Sequence, residues 1–148
     1  MAMRITVSGD RNPFGGWQWR TAAGRWAAEV EPLALGALRS RAPVAAVNGG
    51  RLRDSIRPSR HVTGSSVRLE FGTSAPYAGF VLRGTQPHII RARNARALRW
   101  VQAGEARFAK QVRHPGTRPN PFPERAIRPL MPFIQQRFAA VVRSQIRP

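Results

Sequence analysis

Helical periodicity at both ends of this chain and strand periodicity in its middle constrain the fold before any other feature does. In residues 17–38, Trp19, Ala22, Ala23, Trp26, Val30, Leu33 and Ala37 recur at three- and four-residue intervals, which predicts one apolar helical stripe. Pro32 lacks a backbone donor and clashes with the preceding turn, so the expectation is one bent helix or two. Near the other end, Ile127, Leu130, Met131, Ile134, Phe138, Val141 and Val142 form a second stripe whose start is interrupted by Pro129 and Pro132. A short turn up to Arg128 and a regular helix from about Pro132 to Ile146 are expected. Pro123 and Glu124 suit a helix's first turn, where a missing donor costs nothing and a carboxylate opposes the dipole.

Ahead of the first stripe, and again between the two, the period is two. Met3, Ile5 and Val7 alternate with Arg4 and Thr6, and Val67, Leu69 and Phe71 alternate with Arg68 and Glu70. "SIRPSRHV" and "SSVRLEFGT" read as strands around "TGS", "HIIRAR" is strand-like, and "ALRWV" and "RFAKQVR" read as a pair joined by "QAGEA". "YAGFVLRGT" fits a strand or a short helix. The class is α+β: a small, mostly antiparallel sheet packed with an N-terminal and a C-terminal helix.

A chain of 148 residues fits one domain, 1–148, with a sizeable core, and Asn48-Gly49-Gly50 marks a turn in a segment near 42–60 expected to be flexible. There is no cysteine, so packing must hold the fold. No apolar run approaches the roughly 20 residues that span a bilayer, and "MAMRITVSGD" lacks the apolar stretch of a signal peptide. A soluble protein that stays in the cytoplasm of its synthesis is expected, with no membrane partner.

Twenty-five basic residues against seven acidic ones give a formal charge of +18, enough to attract nucleic acid or an acidic protein. The arginines are scattered rather than gathered in a tail, and Lys110 is the one lysine. Scattered charge more often keeps a surface solvated. The four tryptophans, Trp17, Trp19, Trp26 and Trp100, could stack on bases, but their helical or strand spacing favours core or interface anchors.

The inventory for chemistry is thin. The sequence holds no G-x-S-x-G, no H-E-x-x-H and no Gly-rich Lys-Ser/Thr phosphate loop, and His61, His88 and His114 stand without close ligand spacing. No catalytic site, metal or cofactor is expected. His88 and His114 each sit where a strand meets a turn, a place where imidazole bonds backbone across the turn.

Four phrases, taken in order, resemble a family of tailed-bacteriophage morphogenesis proteins, the head–tail joining or tail-completion proteins typified by gene product ten of phage Hong Kong 97. "APVAAVNGGRLRDSI" carries Gly50, Leu52, Ser55 and Ile56 in matching places, and "APYAGFVLRGTQPHII" carries Tyr77, Ala78, Gly84, Thr85, His88 and Ile90. "ALRW" matches the following strand, and "VRHPGTRPNPFPERAI" carries His114, Pro115, Gly116, Thr117, Pro121 and Phe122. Arg83 and Gly49 depart from the family pattern.

The resemblance implies a structural, non-enzymatic virion protein of the neck, assembled in the host cytoplasm and located at the head–tail interface. It implies a homo-oligomeric ring, sixfold by preference and twelvefold as an alternative. The ring's neighbours would be a head-side connector or stopper ring and the tail-tube proteins, with nonspecific contact to packaged DNA possible. Gly50, Leu52, Ser55, Tyr77, Gly84, Thr85, His88, His114, Pro115, Gly116, Thr117 and Phe122 become candidate assembly and turn residues. In this light "HPGTRPNPFP" is a positioning arm that delivers Phe122 as an apolar anchor. The rival readings are a basic protein making nonspecific phosphate contacts and, more weakly, an enzyme with an unrecognised site.

Overall fold

The structure is a computed structural model that describes residues 2–8, 16–44, 51–64 and 66–146. The chain divides into two compact units, one of Met1–Ala78 with Pro121–Pro148 and one of Gly79–Asn120. The class is α+β, with every strand pairing antiparallel.

The first unit is built on α1, Gly16–Arg41, and on a three-stranded sheet of β1 (Ala2–Ser8), β2 (Ile56–Val62) and β3 (Ser66–Thr73) in the order β1-β3-β2. The alternation in β3 works as expected: Val67, Leu69 and Phe71 are buried while Arg68 and Glu70 turn to the other face. Pro58 lies in β2, an edge strand, where a missing ladder donor does least harm. A one-turn helix α2, Arg51–Ser55, leads into β2 and buries Leu52. Residues 51–60 of the segment expected to be flexible thus fall in α2 and β2, whereas 45–50, including Gly50, lie outside the described residues.

Pro32 does not divide α1. The carbonyl it leaves unpaired belongs to Ala28, and both Ala28 and Pro32 are exposed, so water can take the place of the lost donor. The stripe also drifts from the expected one. Trp26, Val30, Ala34 and Leu38 are buried in steps of four, the inclined ridge by which helices pack, and Leu33 is rotated out to solvent.

Two helices close the core. α4 runs Phe122–Ile127, a single 3-10 turn follows at Arg128–Leu130, and α5 runs Met131–Ile146, close to the expected interruption and restart. Here α3 denotes Ala78–Arg83, a short helix where the sequence left strand and helix open. The indole of Trp26 donates to the Ile134 carbonyl at 3.1 Å, and that of Trp19 donates to the Thr63 carbonyl at 2.8 Å. Both rings meet Phe138 edge-on, Trp19 at a centroid distance of 6.0 Å and Trp26 at 5.8 Å, a favoured aromatic geometry. At the margin of this packing, Arg137 Nε donates to Glu29 at 2.7 Å and Arg60 pairs with Glu31 at 2.9 Å. Trp19 and Trp26 are therefore core anchors, while Trp17 is exposed.

Candidate functional site

The second unit has no buried residue; every side chain from Gly79 to Asn120 is half-buried or exposed. Its strands make two-stranded ribbons only. β4 (His88–Arg91) pairs with β7 (Gln111–His114), and β5 (Leu98–Gln102) pairs with β6 (Glu105–Ala109). Because Ala92 N–H also donates to the Lys110 carbonyl at 3.0 Å, the two ribbons follow one another along a single hairpin, interrupted by the bend at 93–97. The tip is a two-residue turn in which Ala103 and Gly104 both have positive φ, 53° and 83°, as a right-twisted hairpin of this loop length requires.

The open end of this hairpin is closed by two Gly-Thr pairs from distant parts of the chain. Thr85 N–H donates to the Thr117 carbonyl at 3.0 Å and Thr117 N–H donates to the Thr85 carbonyl at 3.1 Å, while the two hydroxyls lie 3.1 Å apart. The preceding glycines, Gly84 and Gly116, have φ of 72° and 87°. A Cβ on Gly84 would stand 2.3 Å from the Thr117 oxygen, and one on Gly116 would stand 2.3 Å from the Thr85 oxygen. Only glycine at both places lets the two backbones approach closely enough for the reciprocal bonds. Asn120 N–H, donating to the Val81 carbonyl at 3.1 Å, ties the next turn of chain to α3.

Beside this clasp the rings of His88 and His114, partners in the ribbon register, lie 5.0 Å apart and are tilted by 31°. His88 Nδ1 contacts the Gln86 carbonyl at 2.9 Å, and His114 Nδ1 accepts from Gly116 N–H at 3.0 Å. His88 bonds a backbone carbonyl as expected. His114 instead serves as an acceptor that fixes the turn of Gly116. A shallow groove of about 570 Å3 beside the clasp is lined by Phe80, Arg83, Gly84, Thr85, Gln86 and His88.

Of the other described candidates, all but Pro115 lie in the first unit. Ser55 Oγ donates to the Leu52 carbonyl at 2.9 Å and shares a 2.6 Å hydrogen bond with Thr73 Oγ1, which in turn accepts from Ala75 N–H at 3.1 Å. Ser55 therefore holds the end of α2 to the end of β3. Tyr77, Arg51, Asp54 and Arg57 border an open cleft of about 470 Å3 next to it. Phe122 opens α4 and is 4% exposed, so it is an anchor within the core of its own unit. Pro115 is exposed on the turn between His114 and Gly116.

The structure thus gathers seven of the candidates, Gly84, Thr85, His88, His114, Pro115, Gly116 and Thr117, at one closure, and places Leu52, Ser55 and Tyr77 in a second cluster. Sequence reasoning missed Thr73 and Asn120. The repeated Gly-Thr dipeptide at 84–85 and 116–117, each next to a strand, was the available signal for the pairing. Among the described residues no group of three His, Cys, Asp or Glu could hold a metal ion, and no helix is long and apolar enough to cross a membrane.

No curated protein and no solved structure matches the chain. Residues 18–83, from α1 through α3, match the family model described as "Bacteriophage HK97-gp10, putative tail-component", a phage tail-component family and the one that the sequence phrases resemble.

Proposed function

We propose that this chain is a phage tail component that works in the neck of the virion, as one subunit of a ring that completes the tail or joins it to the DNA-filled head. The observation that carries the proposal is the second unit: Gly79–Asn120 orders a long two-stranded hairpin without burying one residue. A two-stranded hairpin alone is marginal in water, and it becomes stable when a further surface covers it. Ile89, Val101 and Phe108 are more than half exposed along it, as is Phe80 in the preceding α3, which is the anatomy of a segment that completes its packing against neighbours. In this reading the Gly-Thr clasp fixes the hairpin's opening so that copies around an axis present the same surface, and the ring is sixfold by preference. A head-side connector or stopper ring and the tail tube are the neighbours.

Native mass spectrometry of the chain, alone and mixed with purified neck and tail proteins, tests this. The expected result is a monomer or weakly associated species alone and a closed ring with partners; a partner-bound species that stays monomeric would overturn ring formation. Loss of the protein from an infecting phage should leave full heads beside unattached tails.

One observation favours an additional contact with packaged DNA. The second unit carries eight arginines and Lys110 against a single carboxylate, Glu105. A ring on the path of the genome would use such charge for phosphate contacts without reading sequence.

A further inference from the structure

The β5–β6 hairpin has two unlike faces. Leu98, Trp100 and Ala109 share one face and are half-buried, and Glu105 on that same face pairs with Arg107 at 3.1 Å. The register sets Arg99 opposite Phe108 and Val101 opposite Ala106 on the other face, and all four are exposed. Val101 and Phe108, each 64% exposed, are diagonal neighbours across the ladder and close enough to form one apolar spot. The open face holds no carboxylate; Arg99 flanks the apolar spot.

We propose that this open face docks on another protein, at an apolar depression rimmed by Asp and Glu, and not on a second copy of this chain. The inference rests on the reading of the chain as a tail component with virion neighbours, and it is independent of ring closure. Charge decides against self-docking. The chain carries +18, and Glu29, Glu31, Asp54, Glu70 and Glu105 each already face an arginine of the same chain. A second copy therefore has little acidic rim to offer, and bringing two such surfaces together sets like charges against each other. The apolar spot decides against duplex DNA, which would satisfy Arg99 and leave Val101 and Phe108 facing phosphates and water. A protein with an apolar centre and an acidic rim complements both features, in the arrangement that protein interfaces ordinarily adopt.

The test uses the full-length chain and three fluorescent probes: a short peptide alternating Glu with Leu and Phe, a peptide of the same length with Ser in place of Leu and Phe, and a DNA duplex. Anisotropy titrations at about 50 and about 200 mM salt separate the electrostatic part of each affinity. The acidic–apolar peptide is expected to bind about tenfold or more tighter than the Ser peptide, a difference of roughly 1.4 kcal/mol. Phe108→Ser and, independently, Val101→Ser should erase that preference, and Arg99→Glu should weaken both peptides. Both apolar positions are solvent-facing, so unchanged thermal melting of the variants keeps the comparison clean. Equal binding of the two peptides, or a preference that survives both substitutions, would overturn the proposal. So would duplex binding that is lost with Phe108→Ser, which would assign the face to DNA, or a concentration-dependent dimer lost with Phe108→Ser, which would assign it to a second copy. Failure of the ring reading registers separately, in native mass spectra with tail proteins.

Discussion

Replacing Gly116 by Ala tests whether the paired Gly-Thr closure depends on glycine for the reason the geometry gives. At φ of 87° an alanine sits in the left-handed region at a cost of about 1–2 kcal/mol. Its Cβ would also stand 2.3 Å from the Thr85 oxygen, a backbone atom that cannot swing aside without moving the chain at Thr85. Relief of that overlap separates the two chains and breaks the reciprocal bonds of Thr85 and Thr117, worth about 0.5–1.5 kcal/mol each. The local cost is therefore about 2–5 kcal/mol, a rise in the opening equilibrium of roughly 30-fold to several-thousand-fold. Amide hydrogen exchange resolved by residue should show Thr85 and Thr117 losing protection by that factor, or down to the unprotected rate where that is reached first, while amides in the middle of α1 keep theirs. Gly104→Ala is the control: its φ of 83° imposes the same backbone strain, but nothing stands within 4 Å of the new Cβ. It should loosen the hairpin tip and spare the clasp. Protection of Thr85 and Thr117 in Gly116→Ala within about threefold of wild type would refute the steric argument, since threefold corresponds to well under 1 kcal/mol.

Other substitutions separate core from closure. Phe122→Ala should cost about 3–5 kcal/mol, read as a lowered denaturation midpoint, because the ring is buried and nothing refills its place. His114→Ala removes one acceptor from Gly116 N–H and should cost about 0.5–1.5 kcal/mol, with no recovery on adding divalent metal. Ala103→Asn places a residue that tolerates positive φ in the hairpin turn, and slower exchange of the Gln102 and Glu105 amides should report a gain of a few tenths to about 1 kcal/mol. DNA binding by the free chain should be indifferent to duplex sequence and fall by about two orders of magnitude or more between about 50 and about 200 mM salt; a sequence preference that survives added salt would contradict phosphate contact alone.

What could be read from sequence divides along physical lines. The strand at Ser66–Thr73 and the restart of the helix at Met131, within a residue of Pro132, were legible because alternation and proline are local signals. The continuity of α1 through Pro32 was not, since it depends on Ala28 and Pro32 lying on the solvent side of a packed helix. Leu33 misled for a related reason: a three-residue step fits the period as well as a four-residue step, and only the neighbours choose between them. The candidate residues of the closure were all singled out as turn formers. Their pairing was hidden, because Gly84-Thr85 and Gly116-Thr117 are separated by the whole hairpin and the contact between them is nonlocal. Thr73 was missed since a hydroxyl at a strand end gives no sign of its partner until Ser55 is placed beside it. The absence of a buried core in Gly79–Asn120 was equally hidden, because Ile89, Ile90, Val101 and Phe108 have the composition of a sheet interior and only the structure leaves them uncovered.

In the assembled virion the hairpin of Gly79–Asn120 is expected to complete its packing against a neighbour. Hydrogen exchange read by mass spectrometry over peptides spanning residues 88–114, in the free chain and in intact particles, addresses it directly. Exchange should be fast in the free chain, where a two-stranded ribbon stands alone, and slowed by about two orders of magnitude or more in particles, where a neighbour covers it. Equal exchange in the two states would contradict the account.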